Sequence, residues 1–155
     1  SGNCTSQAKP ILNALPLNFC IINGPIGRAS SIKMVRSIMV KGMEALTAEC
    51  TLAAIAAGVI DEVLPSLKKG HPHIDVESRA TYNFERSIVH GLRRAAEMEE
   101  VSKMLRDLGL PNNMSQASSV WQRKIAIDAK SLGKSLHNEG LKSSAEKLLL
   151  AIRNS

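Results

Sequence analysis

The chain has 155 residues, a formal charge of +6 and 44% apolar residues, enough for one compact domain to bury a core without disulfide or metal staples. Its four aromatics are Phe19, Tyr82, Phe84 and Trp121, so the core has to be aliphatic, a palette that favours helix packing over a β-sandwich. Basic runs stop at pairs such as Lys68-Lys69 and Arg93-Arg94, and with so few rings to stack on bases the charge points to small anionic partners, with neither nucleic acid nor a membrane expected.

The first element predicted is a short helix from Thr5 to Leu15, with Thr5 as its N-cap and Pro10 straining its interior. Leu17, Phe19, Ile21 and Ile22 then form an apolar run closed by the turn signal Asn23-Gly24-Pro25, as a sheet strand would be. No second strand is apparent downstream, so this segment is expected to be the tail of a sheet whose other strands lie outside the chain. From Ala29 to Ala57 there is no proline and only Gly42 as glycine, which predicts a helix of roughly 29 residues, ~43 Å long. Its second half, from Ala45, is apolar nearly all round and therefore buried, against other helices or a second subunit. Gly58 is the stop signal.

Asp61 is expected to cap a short helix to Lys69 that Pro65 shortens or kinks, followed by the loop Gly70-His71-Pro72. Further helices are predicted over Asp75 to Val89, Gly91 to Leu108, Asn113 to Leu136 and Gly140 to Arg153. Gly109-Leu110-Pro111 ends one, and Asn113 or Ser115 caps the next. The fold class is thus all-α, with residues 1–25 as the tail of a separate domain and residues 26–155 as a helical domain. Cys4, Cys20 and Cys50 form no CxxC pair, and an odd thiol count suits a reducing, cytoplasmic setting. The longest charge-free apolar run, Cys50 to Ile60, is about half a membrane span. His71 and His73 are two potential metal donors without a third, so no metal is expected.

On the long helix, Ser30, Lys33, Ser37, Lys41 and Glu44 fall within roughly 80° of one another on a wheel advancing about 100° per residue, a polar stripe that water or a ligand must face. Lys41 and Glu44 are close enough in sequence to pair. Arg86, His90, Arg93, Arg94 and Glu97 recur at three- and four-residue spacing and would share a face if the helix ran on through Gly91. That face reads either as a surface ladder, Arg93 with Glu97 above all, or as guanidinium forks for a carboxylate or phosphate.

The segment Gly24-Pro25-Ile26-Gly27-Arg28-Ala29-Ser30-Ser31-Ile32-Lys33-Met34-Val35-Arg36-Ser37 resembles the junction between the two domains of 6-phosphogluconate dehydrogenases and β-hydroxyacid dehydrogenases. The pattern there is close to G-x-G-x-x-x-K-x-x-x-N. Its first glycine falls on Gly27 and its lysine on Lys33; Ala29 stands at the second glycine and Ser37 at the asparagine. Lys41-Gly42-Met43-Glu44-Ala45-Leu46, and Phe84 to Met98 running on to Gly109-Leu110-Pro111, resemble the C-terminal domain of 6-phosphogluconate dehydrogenase-like oxidoreductases. Where β-hydroxyacid dehydrogenases carry a Lys-Asp pair, this chain has Ala96-Glu97.

The resemblance implies an NAD(P)-dependent dehydrogenase of small anionic hydroxy acids, in which residues 1–25 are the end of a Rossmann NAD(P)-binding domain and residues 26–155 a substrate-binding and dimerisation domain. It makes Lys33 the general base and acid for the substrate hydroxyl, and puts Ser30, Ser37, His90, Arg93, Arg94 and Glu97 against the substrate and Gly27 and Ala29 against the cofactor. It also implies a homodimer through the helical domain, with NAD or NADP held mainly by a domain the chain lacks. The chain by itself is therefore expected neither to bind nicotinamide cofactor nor to turn over. The alternatives are a non-catalytic helical dimerisation module and, among enzymes, a 3-hydroxyisobutyrate-type dehydrogenase or an imine reductase.

Overall fold

The computed structural model describes residues 1–133, 136 and 139–154, and the described residues form helices without a strand. Six helices follow in order: α1 Thr5–Asn13, α2 Arg28–Ala57, α3 Ile60–Gly70, α4 Val76–Asp107, α5 Asn113–Lys130 and α6 Leu141–Arg153. Residues Ser1–Arg36 form one compact unit and Ser37–Ser155 a second.

In the first unit α1 runs through Pro10, preceded by Cys4 at the N-cap; Thr5 caps nothing and donates its hydroxyl to Gly2 O at 2.9 Å. The strand expected over Leu17 to Ile22 is not formed. A strand exists only as part of a hydrogen-bonded ladder, and no other described segment supplies one. The turn after it is real: Gly24 and Gly27 have φ of 130° and 90°, the range where a side chain is strained, and a Cβ on Gly24 would lie 2.5 Å from Arg28 Cδ.

In the second unit the polar residues of α2 are matched by α4 running antiparallel to it: Asn83 Nδ2 donates to Thr47 Oγ1 at 3.0 Å, and Ser87 Oγ to Glu44 O at 3.3 Å. α2 ends where glycine permits a left-handed residue. With Gly58 at φ 70°, the Val59 N–H reaches Ala54 O at 2.9 Å and the Gly58 N–H reaches Ile55 O at 3.1 Å, satisfying carbonyls that the helix end would otherwise orphan. Gly109, at φ 71°, closes α4 in the same way through Leu110 N–H to Leu105 O. The chain then turns back into α5, with Asn112 at the N-cap where Asn113 or Ser115 was expected. α3 likewise starts one residue before Asp61, which lies in its first turn and caps nothing.

The two helices expected on either side of Gly91 are one continuous α4. Gly91 does not break it; its missing side chain lets α5 close in, since a Cβ there would sit 2.5 Å from Gln122 O and 2.8 Å from the Ala126 Cβ. Asp75 caps α4 by accepting from Ser78 N–H at 3.1 Å and Ser78 Oγ at 2.7 Å. α5 stops at Lys130; of the longer helix predicted to Leu136, Lys134 and Ser135 lie outside the described residues. The core is aliphatic with one aromatic: Ala48 and Leu52 of α2, Phe84 of α4, Ile125 and Ala129 of α5, and Leu148 of α6. Among the described residues no helix is long and apolar enough to cross a membrane.

Candidate functional site

The predicted site residues divide between the two units. In the first, Gly27 turns the chain into α2 and receives Ser31 N–H and Oγ on its carbonyl, at 2.9 and 3.2 Å. Ala29, Ser30 and Lys33 are exposed on the opening turns of the helix, with the Ala29 N–H donating to Ser1 Oγ at 3.2 Å.

In the second unit, Ser37, Lys41 and Glu44 are buried. The stripe they belong to therefore faces neither water nor a cavity there: α4 covers it. The expected pairing of Lys41 with Glu44 is not made, because each meets an opposite charge on α4 that is held rigidly opposite. Glu44, 1% exposed, takes both Nε and Nη2 of Arg94, 7% exposed, at 2.8 and 3.0 Å. This two-pronged geometry is the one in which a buried carboxylate and guanidinium offset most of each other's desolvation. One turn earlier on α2, the Lys41 ammonium lies 3.0 Å from Glu97 Oε2 and donates to Ser37 Oγ at 3.0 Å.

Glu97 is the hub. Its other oxygen accepts from Arg93 at 3.2 Å, as the ladder reading of α4 expected, and Arg94 Nη1 is 4.0 Å from Oε2. Burial alone would raise the Glu97 carboxyl; the Lys41 ammonium, followed by Arg93 and Arg94, outweighs it and holds the group below the usual glutamate range. His90, half-buried on the same face, is pushed below its ordinary value first by burial and then by the cations Arg86, Arg94 and Arg93. The structure thus brings Ser37, Arg93, Arg94 and Glu97 into one network, with His90 at its edge. Sequence reading left Lys41 and Glu44 outside the site, although their place in the polar stripe was the available signal. It also missed Gln122 on α5, whose buried amide donates to Lys41 O at 3.4 Å; Ser115, Ser118, Ser119 and Gln122 recur at helical spacing and are all buried.

The charge balance of this seam is uneven. Lys41, Arg86, Arg93 and Arg94 are answered by Glu44, Glu85 and Glu97. Arg86 stacks its guanidinium 5.0 Å above the Tyr82 ring and keeps a buried Nε without a hydrogen-bond partner. Such an arrangement accommodates an added anion better than an added cation. Among the described residues no group of three or more His, Cys, Asp or Glu side chains is gathered as a metal site, and His71 and His73 stay a pair in their loop.

Comparison with known proteins places this helical unit in company. A conserved hypothetical protein of Sinorhizobium meliloti 1021 superposes with a TM-score of 0.85 over 97% of the chain, at 33% identity. A protein of Methanothermus fervidus, described as an uncharacterized 28.5 kDa protein in the 7S RNA 5' region, is 32% identical over 108 residues, 68% of the chain. The chain spans half of the first of these and 41% of the second. Residues 54–125, from the end of α2 through α4 into α5, match the family model of a domain of unknown function, DUF1932.

Proposed function

We propose that the chain is the C-terminal helical substrate domain of an NAD(P)-dependent dehydrogenase that oxidises a small anionic hydroxy acid. The observation that carries this is the seam between α2 and α4, where the four cations Lys41, Arg86, Arg93 and Arg94 face the three carboxylates Glu44, Glu85 and Glu97. The buried pairs hold α2 and α4 in one register, and the unbalanced charge attracts a carboxylate or phosphate substituent to Arg86, His90 and Arg93. In this reading Lys33 takes the proton of the substrate hydroxyl and returns it in the reverse direction. Ser37, Arg94 and Glu97 act by position, through Lys41 and Glu44, and Ser30, exposed on the opening turns of α2, is a substrate contact in the same reading.

The cofactor in this reading is NAD or NADP, which a dinucleotide-binding domain outside the chain would mainly hold and which would supply the hydride acceptor. From this chain Gly27 and Ala29 offer backbone at the turn, and the Ala29 N–H, now satisfied by a serine hydroxyl, fits that donor role. A homodimer through the helical unit belongs to the same reading. It is supported by Met39 of α2 and Met114 and Val120 of α5, large apolar side chains that stay exposed.

The test is made on a protein that joins a dinucleotide-binding domain to this chain, assayed with NAD⁺ and NADP⁺ against a panel of hydroxy acids. Lys33→Ala is expected to lower kcat by about 10²–10⁴-fold, the usual weight of a positioned proton-transfer group. An active enzyme indifferent to that change would overturn the assignment of Lys33.

A further inference from the structure

A cavity lies within the second unit, away from the charged seam, where the lower half of α2 meets α3, the 71–75 loop and the start of α4. Its volume is about 380 Å³, inside the roughly 300–1,000 Å³ range of small-molecule pockets. The walls are aliphatic, from Leu46 on α2, Val63, Leu64 and Leu67 on α3, and Ile74 at the entry to α4. Leu46, Leu67 and Ile74 remain exposed at the rim, so the lining is open to a solute.

The charge of the lining is one-sided. No carboxylate borders the cavity; its ionisable groups are Cys50, His71 and Arg79. Arg79 forms no ion pair among the described residues. The acid nearest in sequence, Asp75, has both oxygens committed to Ser78 at the cap of α4. At the inner end, Asn83 and Thr47 are hydrogen-bonded to each other, and Thr47 Oγ1 in turn donates to Met43 O at 2.6 Å. The Asn83–Thr47 pair is thus satisfied without a ligand, whereas the exposed Arg79 has no carboxylate paired with it among the described residues. An apolar tail buried against α2 and α3 with an anionic head on Arg79 answers both features.

We propose that this cavity is a binding site for an amphipathic monocarboxylate, a straight-chain aliphatic acid of medium length, whose carboxylate pairs with Arg79 beside His71. The site is separate from the dehydrogenase reading and does not depend on it.

The probe is decanoate, with decanol as its uncharged counterpart, on the 155-residue chain carrying Cys4→Ser and Cys20→Ser so that Cys50 in the cavity wall is its one thiol. Alkylation of Cys50 by N-ethylmaleimide should slow saturably with decanoate. Arg79→Ala should raise the half-protecting concentration about tenfold or more, the weight of one charge-assisted contact, and leave protection by decanol unchanged; circular dichroism verifies that the variant is folded. Failure of decanoate to protect Cys50 overturns the proposal, as does equal protection by decanol and decanoate. Protection that follows protein concentration instead of decanoate also overturns it, and makes a second copy of the chain the occupant.

Discussion

Arg94 and Glu44 form a fully buried, two-pronged ion pair between α4 and α2, fifty residues apart in sequence and 2.8 and 3.0 Å apart at their atoms. Neither charge has water to fall back on, so removing one strands the other. Arg94→Ala or Glu44→Ala should cost about 3–5 kcal/mol. The double change Arg94→Met with Glu44→Leu should recover most of that loss, because it removes both desolvation costs and keeps the volume. Urea denaturation of the three variants measures this. Equal losses from the single and double changes would mean that packing around the pair, and not its charge, holds the helices.

The same seam makes the fold sensitive to acid in two steps. His90 has a lowered value in the folded chain, so it favours the unfolded state once the pH drops below the ordinary histidine range, and this cost stops growing below its folded value. Glu97 is also lowered by its setting; its contribution is complete above the usual glutamate range and is lost as the pH falls through its folded value. Stability should therefore decline first below near-neutral pH and again in the carboxylate range. His90→Gln should remove the first decline alone. Lys41→Met, which takes away the ammonium that outweighs burial at Glu97, should raise the glutamate titration seen by carboxyl-selective NMR. An unmoved Glu97 titration in that variant would contradict the role given to Lys41.

Gly91 and Gly42 are both helical glycines, and the structure assigns them opposite behaviour. A Cβ at Gly91 would press on Gln122 O at 2.5 Å and Ala126 Cβ at 2.8 Å, whereas one at Gly42 would meet only Ser118 Oγ at 3.9 Å. Gly91→Ala should destabilise by about 1–3 kcal/mol through overpacking between α4 and α5. Gly42→Ala should stabilise by up to about 1 kcal/mol, the difference in helix propensity. Thermal unfolding of the two single variants checks the opposite signs, and a Gly91→Ala variant as stable as the parent would contradict the overpacking.

That contrast also marks what was legible in the sequence. The long helix, its end at Gly58 and the stop at Gly109 were readable because each is decided within a few residues. Gly91 was misread as a break because its reason lies on α5, some thirty residues away, in a carbonyl that no local pattern reveals. Lys41 and Glu44 were misread as a solvated pair for a related cause: helical spacing gives the face a residue occupies, but not which helix covers that face. Lys41 prefers Glu97, and Glu44 prefers Arg94, only once α4 lies antiparallel against α2. The strand over Leu17 to Ile22 was predicted from apolar alternation and lacked what no single segment can supply, a partner. The placement of Gly27 and Lys33 at a turn and on the opening turns of α2 was legible from the junction itself.

The homodimer of the proposed function makes the last prediction. Met39 on α2 and Met114 and Val120 on α5 are 67%, 72% and 66% exposed, and Ala117 and Trp121 of α5 border an apolar hollow between these helices. Scattered exposed hydrophobics are ordinary, but a run of them on two neighbouring helices amounts to a patch that a second copy can cover. Replacing Met39 and Val120 by glutamate puts two charges on each copy's patch without touching a buried residue. Sedimentation velocity should show a dimer for the parent chain and a folded monomer for Met39→Glu with Val120→Glu. A parent that sediments as a monomer at high concentration removes the dimer from the proposal; a dimer that survives the two glutamates moves its interface away from α2 and α5.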